Sequence, residues 1–251
     1  MTARPYRPCA VIPVYNHGAT VGRVLDALTR QGLACIIVDD GSDSTCAAQL
    51  DKLALDIPAR LCRLSANGGK GHAVQAGLRL ASTLGFTHAL QIDADGQHAL
   101  TDVSTFMAMS RENADAVVCG SPTYGSDAPL GRRCGRWLTR VWVWINTLST
   151  DIPDAMCGFR IYPLNRVVPI IDAVRVGERM DFDIAILVRL HWARVQMVWL
   201  TTQVVYPRDG ISHFKALRDN MLISRMHATL FFGMLMRLPD RVRQAIGSKP
   251  Q

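Results

Sequence analysis

Asp93 and Asp95 close a short apolar run, Ala89-Leu90-Gln91-Ile92-Asp93-Ala94-Asp95-Gly96-Gln97-His98, as two carboxylates separated by one small residue. In an extended chain, side chains two positions apart share a face, so this spacing would set both carboxylates on one side of a strand end. Two such groups repel unless a cation lies between them, and hard oxygen ligands suit Mg²⁺ or Mn²⁺. Gln97 offers a neutral carbonyl as a third ligand if the chain stays extended. A buried strand closed by an Asp95-Gly96 turn would use the same residues, so the pair needs support from elsewhere in the chain.

The elements that must position the pair read as alternating strands and helices. Cys9 to Asn16 is a buried apolar strand running into a turn, and Thr20 to Gln31 follows as a helix with Val21, Val24, Leu25 and Leu28 on one face. Ala34 to Ser42 repeats the pattern and breaks into Asp39-Asp40-Gly41-Ser42, with a helix from Ser44 to Ala54 behind it. A strand over Ala59 to Leu64, a polar loop Ser65 to Gly69 and a helix from Lys70 to Leu84 come next, and the strand from His88 to Asp93 delivers the acidic pair. Leu100 to Glu112 reads as a helix, Ala116 to Ser121 as a strand and Val195 to Tyr206 as a last alternating strand. Apolar strands alternating with helices predict an α/β fold with a mainly parallel sheet and helices on both faces. In such open sheets ligands bind beyond the carboxyl ends of the strands. Asn16, Asp39 with Asp40, Asn67-Gly68-Gly69 and Asp93 with Asp95 all fall at that edge, although each cluster by itself is also an ordinary turn or cap.

Composition narrows the classes. The chain has 251 residues, 49% of them hydrophobic, enough for one large α/β domain with a C-terminal extension. Its seven cysteines form no C-x-x-C pair, are odd in number and lie mostly in apolar runs, the pattern of reduced buried thiols. Met1 to Pro5 leads directly into a strand and shows no signal-peptide apolar region, so a cytoplasmic protein is expected. The formal charge of +7 comes chiefly from arginine and suits an anionic partner: a phosphate-bearing substrate or an anionic membrane surface. No helix-turn-helix, zinc-finger or aromatic RNA-binding motif points to nucleic acid. Tyr15-Asn16-His17-Gly18 after the first strand is not G-x-G-x-x-G, which argues against a nicotinamide-dependent oxidoreductase.

In order along the chain, Val11-Ile12-Pro13-Val14-Tyr15-Asn16, Val38-Asp39-Asp40-Gly41-Ser42, Asn67-Gly68-Gly69-Lys70-Gly71 and Asp93-Ala94-Asp95-Gly96-Gln97 resemble glycosyltransferase family 2. The resemblance is closest to its dolichyl-phosphate mannose synthase-like, polyprenyl-phosphate-using branch and covers residues 9 to 206. It implies a GT-A, Rossmann-like fold, a nucleotide-diphosphate sugar donor such as a UDP- or GDP-sugar, a divalent cation and inversion at the anomeric carbon. Carried over by position, Pro13, Tyr15, Asn16, Asp39 and Asp40 line the nucleoside pocket, Asn67 and Lys70 approach the ribose and diphosphate, and Ala94 lies along the sugar nucleotide with Asp93. Asp93, Asp95 and Gln97 would hold the Mg²⁺ or Mn²⁺. His17 replaces a glutamate that often follows Tyr-Asn in the family, and Pro122 stands where an arginine often faces acceptor phosphate. Arg132 and Arg133, with Arg136 and Arg140, would supply the phosphate-binding guanidinium cluster instead.

Asp154 to Tyr162 resembles the Asp-x-x-x-Gly-Phe-Arg segment that borders the acceptor, which places Gly158, Phe159 and Arg160 there. Asp183 matches the catalytic aspartate of members with hydroxyl acceptors, with Phe182 in place of a glutamate. As a general base it would take a hydroxyl proton; a phosphate acceptor needs none, and Asp183 would then only position groups. His213 is a further candidate contact of the diphosphate. Trp137, Trp142 and Trp144 among the arginines of residues 132 to 148, and the apolar face of residues 213 to 238, suit amphipathic helices at a membrane surface, while no apolar run is long enough to span one. The expectation is therefore a glycosyltransferase domain over 1–206 and an amphipathic extension over 207–251, acting at the inner face of the cytoplasmic membrane on a lipid-linked acceptor, either polyprenyl phosphate or a lipid hydroxyl. The alternative is a nucleotide-sugar-binding protein without turnover.

Overall fold

The computed structural model describes residues 5–57, 59–123, 130–204 and 216–247, and in the last two stretches the side chains of 133–204 and 218–239. The 206/207 boundary and His213 lie outside the described residues. Strands β1 (Pro8–Val14), β2 (Ala34–Asp39), β3 (Ala59–Arg63), β4 (His88–Gln91), β5 (Val117–Thr123), β6 (Arg160–Pro163) and β7 (Met197–Gln203) form one sheet in the order β3-β2-β1-β4-β6-β5-β7. Between them run helices α1 (Gly18–Arg30), α2 (Ser44–Asp56), α3 (Lys70–Thr83), α4 (Val103–Glu112), α5 (Leu130–Thr147), α6 (Leu164–Ala173) and α7 (Phe182–Trp192), and α8 (Ala216–Gly247) follows the last strand.

The continuous apolar character of β1 and β2 has a simple origin: both faces of the sheet are covered, so neither set of alternating side chains meets water. Cys9 and Val11 with Ile36 and Val38 face a core shared with α3, α6 and α7, while Ala10, Ile12 and Val14 with Cys35 and Ile37 face one shared with α1 and α4. β1 pairs parallel with both β2 and β4, so the chain runs outward to β3 and then returns across β1. That reversal opens a crevice at the carboxyl ends of β1 and β4. β6 lies antiparallel between β4 and β5, and β7 runs parallel to β5. The antiparallel insert is a feature that periodicity does not announce: Arg160-Ile161-Tyr162-Pro163 is four residues long and begins with an arginine.

Helix α8 buries Met226, Leu230 and Met234 against the body of the protein. Where it meets α5, Asn146 Nδ2 lies 3.1 Å from Nδ1 of the buried His227. An amide NH₂ can only donate, so that nitrogen accepts, and burial pushes the imidazole pKa down to about 4. A histidine whose folded pKa lies below its unfolded value of about 6.5 stabilises the fold fully above pH 6.5 and loses that contribution as pH falls toward 4. Acid melting curves are expected to show this: between pH 7 and pH 5 wild type loses on the order of 2 kcal/mol more stability than His227→Leu. Equal losses in the two proteins would show that His227 is protonated in place.

Candidate active site

Strand β4 ends at Gln91, so the acidic pair lies beyond the strand, in a turn. Gly96, at φ +71°, reverses the chain, and the Gln97 backbone N–H donates to Asp95 Oδ1 at 3.0 Å. This corrects the expectation of an extended ridge: Asp95 binds the backbone two residues on and folds the segment, so the condition under which Gln97 would be a third ligand is not met. Asp93 and Asp95 nonetheless feel each other. Burial first, and then the charge of Asp93, raises the pKa of Asp95. Ala94 is buried, and its carbonyl accepts a 2.8 Å hydrogen bond from Thr20 Oγ1, which ties the turn to α1.

The first residue of α3, Lys70, reaches into the crevice. Its Nζ lies 2.8 Å from Asp93 Oδ1 and donates to Oδ2 at 3.0 Å, and on its other side it lies 3.1 Å from Asp183 Oδ2. One ammonium thus bridges the carboxylate after β4 and the carboxylate in the first turn of α7. Burial disfavours the ammonium, but Asp183 and Asp93 outweigh it and raise the Lys70 pKa. Burial likewise works against the Asp93 anion and is outweighed by Lys70 and His98, which hold Asp93 well below the usual carboxylate range. Gly158 is required here by close approach: a Cβ on it would stand 2.6 Å from Lys70 Nζ and 2.9 Å from Gln91 Nε2.

Asp183 is 5% exposed and held from three directions. Gln91 Nε2 donates to its Oδ1 at 2.9 Å, Lys70 meets its Oδ2, and Arg160 Nη1 donates to its backbone carbonyl at 2.7 Å. The expected acceptor contacts of Arg160 and Phe159 are corrected by this arrangement. Arg160 is 0% exposed, its Nη2 donates to the Ala155 carbonyl at 2.8 Å, and its charge is absorbed inside the protein. Phe159, equally buried, packs its ring against Phe106 and His98. Of the α5 arginines, Arg133 is exposed, Arg136 pairs with Asp154 at 2.6 Å, and the Arg132 side chain lies outside the described residues.

The other strand ends assemble beside this cluster. Asn16, at φ +56° just beyond the partly buried Pro13 and Tyr15, accepts from the Asp43 backbone N–H at 2.9 Å, and its own N–H donates to Ser42 Oγ. Asp39 accepts from the Ser42 N–H and from Arg63 Nε; burial works against its charge, but these donors hold its pKa down. Asp40 accepts from the Gly68 and Gly69 N–H groups at 2.9 and 2.8 Å. Both carboxylates are buried; Asp40 ties the β2 exit to the glycine loop, and Asp39 ties it to Ser42 and to Arg63 of β3. Gly69, at φ +103°, lets the loop pass under Arg179, whose Nη1 donates to Asn67 Oδ1 at 3.3 Å.

Three residues of this neighbourhood have no signal in the linear sequence as site residues: Gln91, His98 and Arg179. His98 is buried with Nε2 3.4 Å from Asp93 Oδ2. Gln91 and His98 flank the acidic pair and were legible only as neighbours of it, while Arg179 is an isolated arginine in a loop. The donor set suits a hard divalent cation, because Asp93 and Asp95 offer oxygens and Asp93 Oδ1, though close to Lys70, accepts no hydrogen bond.

The chain is similar to known proteins in sequence and in fold. The chain is 30% identical over 176 residues to the polyprenol monophosphomannose synthase of Mycolicibacterium smegmatis, a match covering 64% of this chain and 63% of that protein. It is 26% identical over 200 residues to the dolichyl-phosphate beta-glucosyltransferase of Dictyostelium discoideum, covering 70% and 60%, and 26% identical over 164 residues to the undecaprenyl-phosphate mannosyltransferase of Micrococcus luteus, covering 62% and 66%. The matched stretch is thus under two thirds of each relative's length. In fold the chain is similar to glucosyl-3-phosphoglycerate synthase from Mycobacterium tuberculosis in complex with uridine diphosphate, with a TM-score of 0.67, 14% identity, and 92% of this chain and 80% of that one covered. The model of glycosyl transferase family 2 matches residues 9–167. That match spans well over half of the chain, and the protein belongs to glycosyl transferase family 2.

Proposed function

We propose that this glycosyltransferase moves a sugar, with inversion, from a nucleoside-diphosphate sugar to a lipid-linked phosphate. The observation that carries the reading is the Lys70 bridge between Asp93 and Asp183 at the carboxyl edge of the sheet. Lys70 would face the donor diphosphate from the start of α3, with Asn67 and the glycine loop beside it, while Pro13, Tyr15 and Asn16 border the nucleoside. Asp93 and Asp95 would hold Mg²⁺ or Mn²⁺, which when bound neutralises charge on the departing nucleoside diphosphate.

The state of Asp183 supports a phosphate acceptor over a hydroxyl. A hydroxyl must lose a proton as it attacks, and a carboxylate takes it best with a lone pair turned to the acceptor. Each Asp183 oxygen already meets a donor, Gln91 on one side and Lys70 on the other. A phosphate arrives as an anion and needs only orientation and a nearby cation. The relatives named for polyprenol, dolichyl-phosphate and undecaprenyl-phosphate add a second line of support.

The reading includes a peripheral seat on an anionic, cytoplasmic leaflet, and the surfaces of α5 and α8 support it. Trp137 and Leu138 of α5, Leu148 just beyond its end, and Met221, Phe232 and Met236 of α8 are exposed, and Trp137 is 63% so. Arg133, Arg140, Arg218 and Arg225 are exposed among them, and no described side chain of either helix presents an exposed acid. Apolar surface flanked by arginine suits an anionic bilayer surface. Among the described residues no helix is long and apolar enough to cross a membrane. On this reading residues 1–206 form the catalytic domain and 207–251 an extension that seats it on the lipid.

Melting the protein with UDP-, GDP- and dTDP-sugars, with and without Mn²⁺, is the test of the donor. One base is expected to stabilise the fold, and more strongly with Mn²⁺; a ligand at a hundred times its Kd adds about 2.7 kcal/mol. With that donor, product is expected on polyprenyl phosphate and none on the free polyprenol. Transfer to the alcohol alone would overturn the acceptor assignment.

A further inference from the structure

Gln91 stands two residues before Asp93 and touches the other partner of Lys70. We propose that Gln91 is a positioning residue that holds Asp183 in register with Asp93 for sugar transfer, with Tyr162 and Arg160 fixing its amide in turn. The proposal rests on reading Asp183 and Asp93 as parts of the active site.

The four side chains form a chain of hydrogen bonds in which each direction is set by the next. Arg160 Nη1 can only donate, and does so to Tyr162 Oη at 3.2 Å and to the Asp183 carbonyl at 2.7 Å. The Tyr162 hydroxyl then gives its own hydrogen to Gln91 Oε1 at 3.2 Å. That fixes the amide orientation, and Nε2 is turned toward Asp183 Oδ1 at 2.9 Å. Gln91, Arg160 and Tyr162 are each 0% exposed, so water offers no substitute for any of these bonds.

Sheet register explains why the arrangement is rigid. β4 and β6 are antiparallel neighbours in which Gln91 pairs with Arg160 and Ala89 with Tyr162, so Gln91, Arg160 and Tyr162 are carried by strands rather than loops. The segment that supplies Gln91 also supplies Asp93. A bond from Gln91 to Asp183 therefore sets the gap that Lys70 spans. A carboxamide is suited to this position because it accepts from a phenol and donates to a carboxylate at once. Glutamate would put like charges together, and leucine would leave Asp183 Oδ1 and the Tyr162 hydroxyl without their partner.

The test is a kinetic cycle on the full chain, with transfer from the accepted donor to polyprenyl phosphate as the assay. Gln91→Leu is expected to lower kcat about 10- to 100-fold while the donor KM changes less than about twofold, because misplacement costs the transfer step rather than binding. Asp183→Asn is also expected to lower kcat, and adding Gln91→Leu to it should produce little further loss, since Gln91 acts through Asp183. Tyr162→Phe removes only the hydroxyl that orients the amide. Its smaller kcat loss, about 3- to 10-fold, should likewise vanish in the Asp183→Asn background and keeps the test open if Gln91→Leu does not fold. Independent, multiplying losses, or unchanged kcat in Tyr162→Phe and Gln91→Leu, would overturn the positioning role and leave the active-site reading intact. Full activity in Asp183→Asn itself would remove both.

Discussion

Asp93→Asn is expected to lower kcat/KM for sugar transfer about a thousandfold, the largest loss of any single substitution in the crevice. The asparagine keeps the shape of the side chain and removes its charge, and that charge does two things. It faces Lys70 Nζ at 2.8 Å and His98 Nε2 at 3.4 Å, so it sets the position of the cation that bridges to Asp183. On the proposed reading it would also supply, with Asp95, oxygens for a divalent cation. Losing an electrostatic stabiliser of a departing anion costs about 10²- to 10³-fold, and losing the arrangement of Lys70 as well places the expected effect at the upper end. A thousandfold is about 4 kcal/mol of transition-state stabilisation. The same variant should lose the extra melting stabilisation that Mn²⁺ adds to a nucleotide, which separates a local charge effect from general damage. Wild-type kinetics in Asp93→Asn, or an undiminished Mn²⁺ effect, would remove the acidic pair from the mechanism.

Lys70→Met tests the bridge from the other side. Methionine retains the length of the stem and leaves Asp93 and Asp183 with no ammonium between them. Transfer is expected to fall about a hundredfold, because on the proposed reading a preorganised cation beside the donor diphosphate is lost. Mn²⁺ alone should behave in the opposite way. In wild type the ammonium already lies between the carboxylates, so Mn²⁺ without nucleotide is expected to move the melting temperature little. In Lys70→Met the unrelieved carboxylates make the protein less stable, and Mn²⁺ is expected to restore it. If Mn²⁺ stabilises both proteins equally, Lys70 does not compete for that position.

The corrected residues show where linear reading stops. Asp39 and Asp40 were placed at the correct edge, since a carboxylate pair closing an apolar strand marks a strand end. That they also bind Ser42, Arg63, Gly68 and Gly69 depends on how closely the glycine loop and β3 approach the end of β2, which no spacing encodes. Arg160 is the clearer case. An arginine near an acceptor segment reads as an anion ligand, yet β6 inserts between β4 and β5 and carries that side chain inside, where two backbone carbonyls and a tyrosine accept from it.

What the chain alone determined is the parallel strands, the helices that follow β1 to β4 and the edge on which polar groups collect, because apolar runs, helical periodicity and strand-breaking Asp and Gly are local patterns carried by neighbouring residues. The tertiary structure decided which of those groups meet. Lys70, Gln91, Asp93, Arg160 and Asp183 come together only through the register of an antiparallel strand and the packing of α3 against α7, and long-range pairings of that kind have no period to be seen in one dimension.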